Sequence, residues 1–402
     1  MKKEEKKNFK AWSLTFLLLG SFALIGGACQ PYVGSETCQA CHPLIYTSFI
    51  QTGHPYKFNL VNGAAPTYPS FVENFMALPT GASSWNDIAG VIGGWGWKAR
   101  FVDTEGWVVG TASSIVNTGG GQNQLNFFEH FGDRPTWSDY HPEDEKQYNY
   151  SCFKCHTTGA VSADETERNW IVEHLGIDND EDLGFFEFGG IECEECHGSG
   201  GIHVLTQKAE DITKPDGEAI NDLCGRCHTR LADRNVQTSG DYVRHHEQYD
   251  EFIRTKHYKN ASMNCSSCHD PHKKILWSGD GNETTCTSSC HSTVTAAGPH
   301  ASTDCITCHM AYIAKSAQAT GYLKGDVRSH TFSINSDADY EMIGDHPIDE
   351  GVEIMNVDEN GLTHIALSYA CYQCHQDGEG NGGSGSEKTL AELSTYAKTM
   401  HE

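Results

Sequence analysis

Apolar residues are scarce in this chain. They make up only 38% of it, below the usual share for a globular domain. An ordinary aliphatic core is therefore not what holds it together. Beyond the first 28 residues no segment approaches 18 consecutive apolar positions, so the sequence offers no helix to cross a bilayer and the mature protein reads as soluble or surface-anchored. Basic residues are few as well: 28 Lys and Arg face 54 Asp and Glu, a net charge of -26. That balance repels phosphate and excludes nucleic acid as a partner, while it favours basic partners or cationic surfaces. What the chain has in excess is 41 Gly, 17 Cys and 22 His.

The start reads as an export signal, residues 1–28. "MKKEEKKNFK" is basic and "WSLTFLLLGSFALIGGA" is an apolar run short for a membrane span. Cys29 follows at once and resembles the lipidated cysteine of a bacterial lipobox, although Gly26 stands three residues before it where Leu is preferred. Ordinary cleavage nearby would leave Cys29 a free thiol. Lipidation is the reading adopted, because every other cysteine has a partner. It would make a lipid anchor the only contact with a membrane.

Those others form eight pairs, each followed by histidine: Cys38 and Cys41 with His42, Cys152 and Cys155 with His156, Cys193 and Cys196 with His197, Cys224 and Cys227 with His228. Then come Cys265 and Cys268 with His269, Cys286 and Cys290 with His291, Cys305 and Cys308 with His309, and Cys371 and Cys374 with His375. Seven read C-x-x-C-H; the pair at Cys286 has one extra residue. Disulfides or zinc sites would use the cysteines, but neither explains a histidine after every pair. The pattern is that of c-type haem attachment. Two thiols on one turn reach the two vinyl groups of a porphyrin, and the next side chain turns its imidazole to the iron as proximal ligand. Eight haem c groups are expected, each with too little polypeptide for a domain of its own. The haems then form the core of a fold of short α-helices and loops.

A second axial ligand for every iron needs eight more histidines, and 14 remain. The candidates are His54, His203, His257, His272, His300, His330 and His401, with His246 as the eighth, ahead of His245, His364 and His141. "CSSCHDPH" (Cys265 to His272) constrains one of them. Three residues cannot carry the backbone around a porphyrin edge, so His272 is expected to bind a haem other than the one that His269 binds.

Along the chain, 29–56 carries the first motif. Residues 57–151 hold none and contain five tryptophans, Trp85, Trp95, Trp97, Trp107 and Trp137. There "WKARFVDTEGWVVGTA" alternates about a D-T-E-G turn as a β-hairpin does, so a small β-containing insertion is expected, its aromatics packing the insertion and haem edges. Residues 152–310 carry six motifs and 311–378 the last. "DNDEDLG" (Asp178 to Gly184) lacks the Gly and Glu of a calcium loop and reads as a solvated acidic loop. In 379–402 a glycine-rich flexible link, begun by "DGEGNGGSGS", precedes a helix that opens at Ser386 and Glu387 and ends near His401.

"GSETCQACHPLIY", "TGHPYKF", "GGWGWKARFVD", "YNYSCFKCHTTG", "GGIECEECHGSGGIH", "CSSCHDPH", "CITCHM" and "GDVRSHTF" together resemble the exported multihaem cytochromes c of bacteria that respire with extracellular or periplasmic acceptors. The resemblance spans 34–401 and implies electron transfer through bis-His haems. Its expected partners are redox cytochromes or extracellular acceptors such as metal oxides, electrodes or other cells, at the outer membrane, cell surface or periplasm, with self-assembly into a haem filament as one form. The octahaem oxidoreductases, such as tetrathionate reductase and hydroxylamine oxidoreductase, are more distantly similar and keep one iron open. Several reductases of the family put Lys in place of the motif His. All eight motifs here end in His, so no catalytic residue is assigned, and an oxidoreductase of small nitrogen or sulfur compounds is the alternative.

Overall fold

The computed structural model describes residues 31–69, 76–119, 122–127, 135–163, 184–276, 280–282 and 285–401. The export signal 1–28, Cys29 and residues 178–183 of the acidic run lie outside them. The chain forms two compact units: residues 1–214 with 272–274, and residues 215–271 with 275–402. The division falls within the 152–310 segment that carries six motifs.

In the first unit the haem-free stretch makes an antiparallel sheet of five strands in sequence order: β1 (Phe58–Leu60), β2 (Ile88–Gly93), β3 (Lys98–Asp103), β4 (Gln124–Asn126) and β5 (Thr136–Ser138). Alternation along each strand gives the sheet two faces. Val91, Ala99, Phe101 and Leu125 point one way into a core closed by Trp85 and Trp137. Phe58 pairs with Ile92, and Ile92 with Arg100, so these residues share the other face with Val102. There Phe58 and Val102 pack on Tyr148 and Phe153. Gly90 is needed where the Phe58 ring crosses β2, since a side chain there would collide with it.

The expected hairpin at the D-T-E-G turn exists only as a short return. Asp103 N–H donates to Trp107 O at 2.9 Å, and Val102 bridges Val108. The main partner of β3 is instead β2. Asp103 explains why the return stops. Its buried carboxylate accepts from the backbone N–H of Glu105, Trp107 and Ile115 and from the Ser114 hydroxyl. This draws the chain after Trp107 into a loop rather than a strand.

Among the described residues the second unit has no large sheet. Three short strands (Thr238–Ser239, Tyr242–Arg244, Ala314–Lys315) and two two-stranded ribbons surround a core of Val236, Val243, Ile313, Met355 and Ile365. The last helix, Leu390–Ala397, starts at Thr389, not at Ser386. Thr389 accepts from Glu392 N–H while Glu392 accepts from Thr389 N–H, a reciprocal cap. Leu393 seats the helix against Leu367 and Tyr372. The glycine-rich run before it is wound against the last motif: Gly383 N–H reaches Tyr372 O and His375 O, and Gly385 N–H reaches Cys374 O. Side chains at Gly382, Gly383 or Gly385 would strike the backbone of residues 372–375, so these glycines serve close approach as well as freedom.

Candidate haem centres

Each motif is a single turn that carries its cysteines and delivers its histidine. In several of them the histidine N–H bonds to the carbonyl of the first cysteine, as in His42 to Cys38, His228 to Cys224, His269 to Cys265 and His375 to Cys371, at 2.9 to 3.1 Å. The extra residue of the Cys286 motif is absorbed by widening the turn. Cys286–Cys290 is one turn of π-helix, and His291 N–H still reaches Cys286 O at 2.8 Å. The longer spacing therefore keeps the same closure of first cysteine on histidine. The sixteen described cysteines are all free of disulfides. Among the described residues no three His, Cys, Asp or Glu gather as a zinc ion would need.

The histidines meet in twos. His42 faces His203 with ring centres 6.3 Å apart, and His197 faces His272 at 6.1 Å, both in the first unit. In the second unit His228 faces His246 at 6.4 Å, His269 faces His330 at 6.1 Å and His291 faces His257 at 6.0 Å. There too His309 faces His401 at 5.8 Å and His375 faces His300 at 6.0 Å. Each of these seven pairs joins one motif histidine to one from elsewhere in the chain. Metal–imidazole bonds are roughly 2.0–2.1 Å and about 1 Å separates the nitrogen from the ring centre, so two imidazoles on one metal hold their centres roughly 6 Å apart. The spacing found is that spacing.

The ring nitrogens agree with it. A carbonyl oxygen only accepts, so a ring Nδ1 bonded to one must carry the proton, which leaves the Nε2 lone pair for a metal. His197 donates Nδ1–H to Thr213 O, His309 to Phe332 O and His375 to Ser386 O, at 2.8, 2.7 and 3.0 Å. Among the facing rings His203 donates to Lys208 O at 2.8 Å and His401 to Thr295 O at 3.1 Å. Burial holds His330 neutral, its pKa lowered to about 3. His257 is lowered too, by burial and then by His291. Neutral imidazole is the form that ligates.

His156 lies against the Tyr148 ring, centres 6.1 Å apart and planes at 17°, with the hydroxyl 3.4 Å from Nδ1. His54 reaches the same neighbourhood through the backbone: Ile191 N–H donates to His54 O and the adjoining Gly190 N–H to His156 O. His269 and His272 face different partners, as the three-residue path between them requires. The remaining described histidines face no motif histidine: His245 lies against the His246 ring, centres 4.4 Å apart, and His346 meets Asp233 at 2.7 Å. His141 meets Asp144 at 2.7 Å, His245 meets Arg230 at 3.2 Å and His364 meets Ser333 at 2.8 Å.

No family model and no curated protein matches the sequence. Solved structures do. The octahaem sulfite reductase MccA of Wolinella succinogenes, in its form II, matches over 94% of this chain and 68% of its own, with a TM-score of 0.57 and 18% identity. The fold is that of a multihaem c-type cytochrome. The undecahaem cytochrome from the S-layer of Carboxydothermus ferrireducens matches over 73% of this chain and 53% of its own, at TM-score 0.40 and 16% identity. The outer cell wall cytochrome OcwA matches over 60% and 56%, at 0.34 and 19%. Among the described residues no helix is long and apolar enough to cross a membrane.

Within this cytochrome fold three polar residues that the sequence did not single out fasten motifs to their surroundings. Glu194, inside "CEECH" and 1% exposed, accepts from the backbone N–H of Val33, Gly34 and Gly200. It ties the turn before Cys38 and the turn before His203 to the Cys193 motif. Asn221 accepts Cys265 N–H at 3.0 Å from the helix that carries Cys224. Glu251 holds Ser329, His330 N–H and Thr331. Neither local spacing nor residue type marks these roles, since all but the Gly200 bond to Glu194 join residues far apart in the chain.

The motifs also adjoin one another. In the first unit the Cys38 and Cys193 thiols share a hydrogen bond, which pushes Cys38 up. In the second, Cys224 and Cys265 share another. Cys268 is pushed up by burial and then by Cys286 and Cys290, and Cys286 by burial and then by Cys305. Cys308 is raised by burial and then by Cys374. The five attachment points of the second unit follow each other in space in the order of the sequence.

Proposed function

We propose that this chain carries electrons through eight covalently attached c-type haems with mostly bis-His ligation. The observation that carries the proposal is the set of seven motif histidines, each opposed by a second imidazole at metal-bridging distance. Haem, when bound, supplies one-electron chemistry, and two imidazoles leave it no position for substrate. The protein's part is to fix the rings, keep them neutral and hold successive attachment turns in contact. In the second unit the five adjoining motifs support transfer along the sequence order. His54 is assigned to the His156 haem as its second ligand, from the shared backbone contact at residues 190–191.

Cys29 is proposed as the lipidated first residue of an exported protein that works at the outer surface or in the periplasm. Redox cytochromes or extracellular acceptors would be its partners, and assembly into a filament is compatible with pairs completed inside one chain. The mass of the mature N-terminus tests the anchor; a chain that begins elsewhere and carries no lipid rejects it.

The second reading, an octahaem oxidoreductase acting at one open iron, draws on two observations. The neighbour at TM-score 0.57 is a sulfite reductase, and the ring against His156 is that of Tyr148. One experiment separates the two. Purified protein with eight haems by mass, low-spin in both oxidation states and slow to bind carbon monoxide, supports the conduit. A stoichiometric high-spin haem that binds carbon monoxide or nitrite rapidly supports the enzyme.

A further inference from the structure

Two glutamates stand side by side inside the Cys193 motif and bind different neighbours. Adjacent residues on a helical turn point to different sides. Glu194 accepts the backbone N–H of Val33 and Gly34, just before the Cys38 turn, at 3.0 and 2.7 Å. Glu195 accepts Gly159 N–H, just after His156, at 3.0 Å. A hydroxyl completes each join. Ser35, three residues before Cys38, donates to Cys193 Sγ and accepts Cys193 N–H, both at 3.1 Å. Thr158, two residues after His156, donates to Gly190 O at 2.8 Å and accepts Glu192 N–H at 2.7 Å. Ser35 and Thr158 are both buried, where a polar bond is costly to lose. The Cys193 turn is thus fastened to both other motifs of the first unit.

We propose that the Cys193 turn is the middle station of the first unit: electrons pass between the haems attached at Cys38 and at Cys152 by way of the haem attached at Cys193 and Cys196, and Ser35 and Thr158 are the positioning residues that set the two contacts. The inference rests on the haem reading above. Order in space here departs from order in sequence, which puts the Cys152 motif between the other two. Transfer between cofactors falls off steeply with separation, so the route follows the turns that are bonded to each other. Those bonds survive haem attachment, since the backbone groups take no part in it and a thioether sulfur still accepts from a hydroxyl. Strand pairing stiffens the contact on the Cys152 side: Thr157 and Thr158 pair with Gly189 and Phe188, which lead into the Cys193 turn.

The test uses the intact haem-loaded protein and spectroscopic redox titration with the components resolved. Three double variants each delete one haem: Cys38→Ala with Cys41→Ala, Cys152→Ala with Cys155→Ala, and Cys193→Ala with Cys196→Ala. The component that disappears identifies the haem. The components that shift identify its neighbours, since an electron on one haem repels the next. Deleting the Cys193 haem is expected to shift both other haems of the first unit. Deleting either end haem should shift the Cys193 haem and hardly move the other end. End haems that shift each other as much as they shift the Cys193 haem overturn the proposal. Ser35→Ala and Thr158→Val keep every cysteine pair and report even if a deletion variant fails to fold. The first should shift the Cys38 and Cys193 components, the second the Cys152 and Cys193 components, with Ser35→Thr close to wild type. A Cys193 component that answers to only one of them also overturns the proposal. Peptide mass mapping of the thioethers is read separately: wild-type protein without haem on Cys193 and Cys196 rejects the underlying haem assignment, whereas haem present there with the end haems coupled directly rejects only the order.

Discussion

The five-stranded sheet and the stretch around the Cys286 motif fold by different means. In the sheet Val91, Ala99 and Phe101 are wholly buried by protein atoms, and each strand is paired along its length. Across residues 285–295 every side chain is exposed to solvent as far as the polypeptide alone is concerned. The first region buries apolar surface against itself, in the ordinary way. The second has a shape, one π-turn between two cysteines, but buries no side chain against the described residues. On the proposed haem reading, its stabilisation comes from the group that its thiols and imidazole hold. The two regions show two ways in which a chain with so little apolar content is arranged: strands that bury side chains against each other, and a motif turn that leaves its side chains open to solvent.

The largest effect expected follows from withholding the haems. Protein exported without haem attachment should lose hydrogen-exchange protection throughout 285–309 yet keep it in β2 and β3. Equal loss in both regions would abolish the contrast. Phe101→Ala should act in the reverse sense. It should cost about 3–5 kcal/mol of stability in the first unit, read from denaturant unfolding of the tryptophan-rich sheet, with the visible spectra of the second unit unchanged. His401→Ala sharpens the comparison at the level of one ligand. One haem should become high-spin while the number of haems stays the same, since thioethers and not ligands secure the cofactor; eight unaltered low-spin haems would remove His401 from the ligand set. Thr389→Ala should give the smallest change, about 1 kcal/mol from loss of the helix cap, visible as local exchange in 390–397 with His401 still facing His309.

Much of this was legible in the residues themselves. That "WKARFV" is a strand follows from its alternation, but its pairing with Ile88–Gly93 does not. The D-T-E-G turn promised a longer hairpin, and the many bonds gathered by Asp103 halted it. The C-terminal helix was visible in its apolar spacing. Its cap was misplaced by three residues, because Thr389 and Glu392 satisfy each other while Ser386 is taken up by the last motif, its carbonyl accepting from His375.

What the sequence determined by itself is each attachment turn. Two thiols and an imidazole lie within five or six consecutive residues, so their geometry is set by one turn of backbone and needs nothing distant. Chain reach alone also called for His272 and His269 to face different partners, and they do: His197 and His330. Only the tertiary structure decided which histidine faces which, from His42 with His203 to His309 with His401. It likewise decided that Glu194 and Asn221 bind motifs together. The physical reason is range: an opposing ring must arrive from a remote segment along a path fixed by packing, and no local spacing encodes that path.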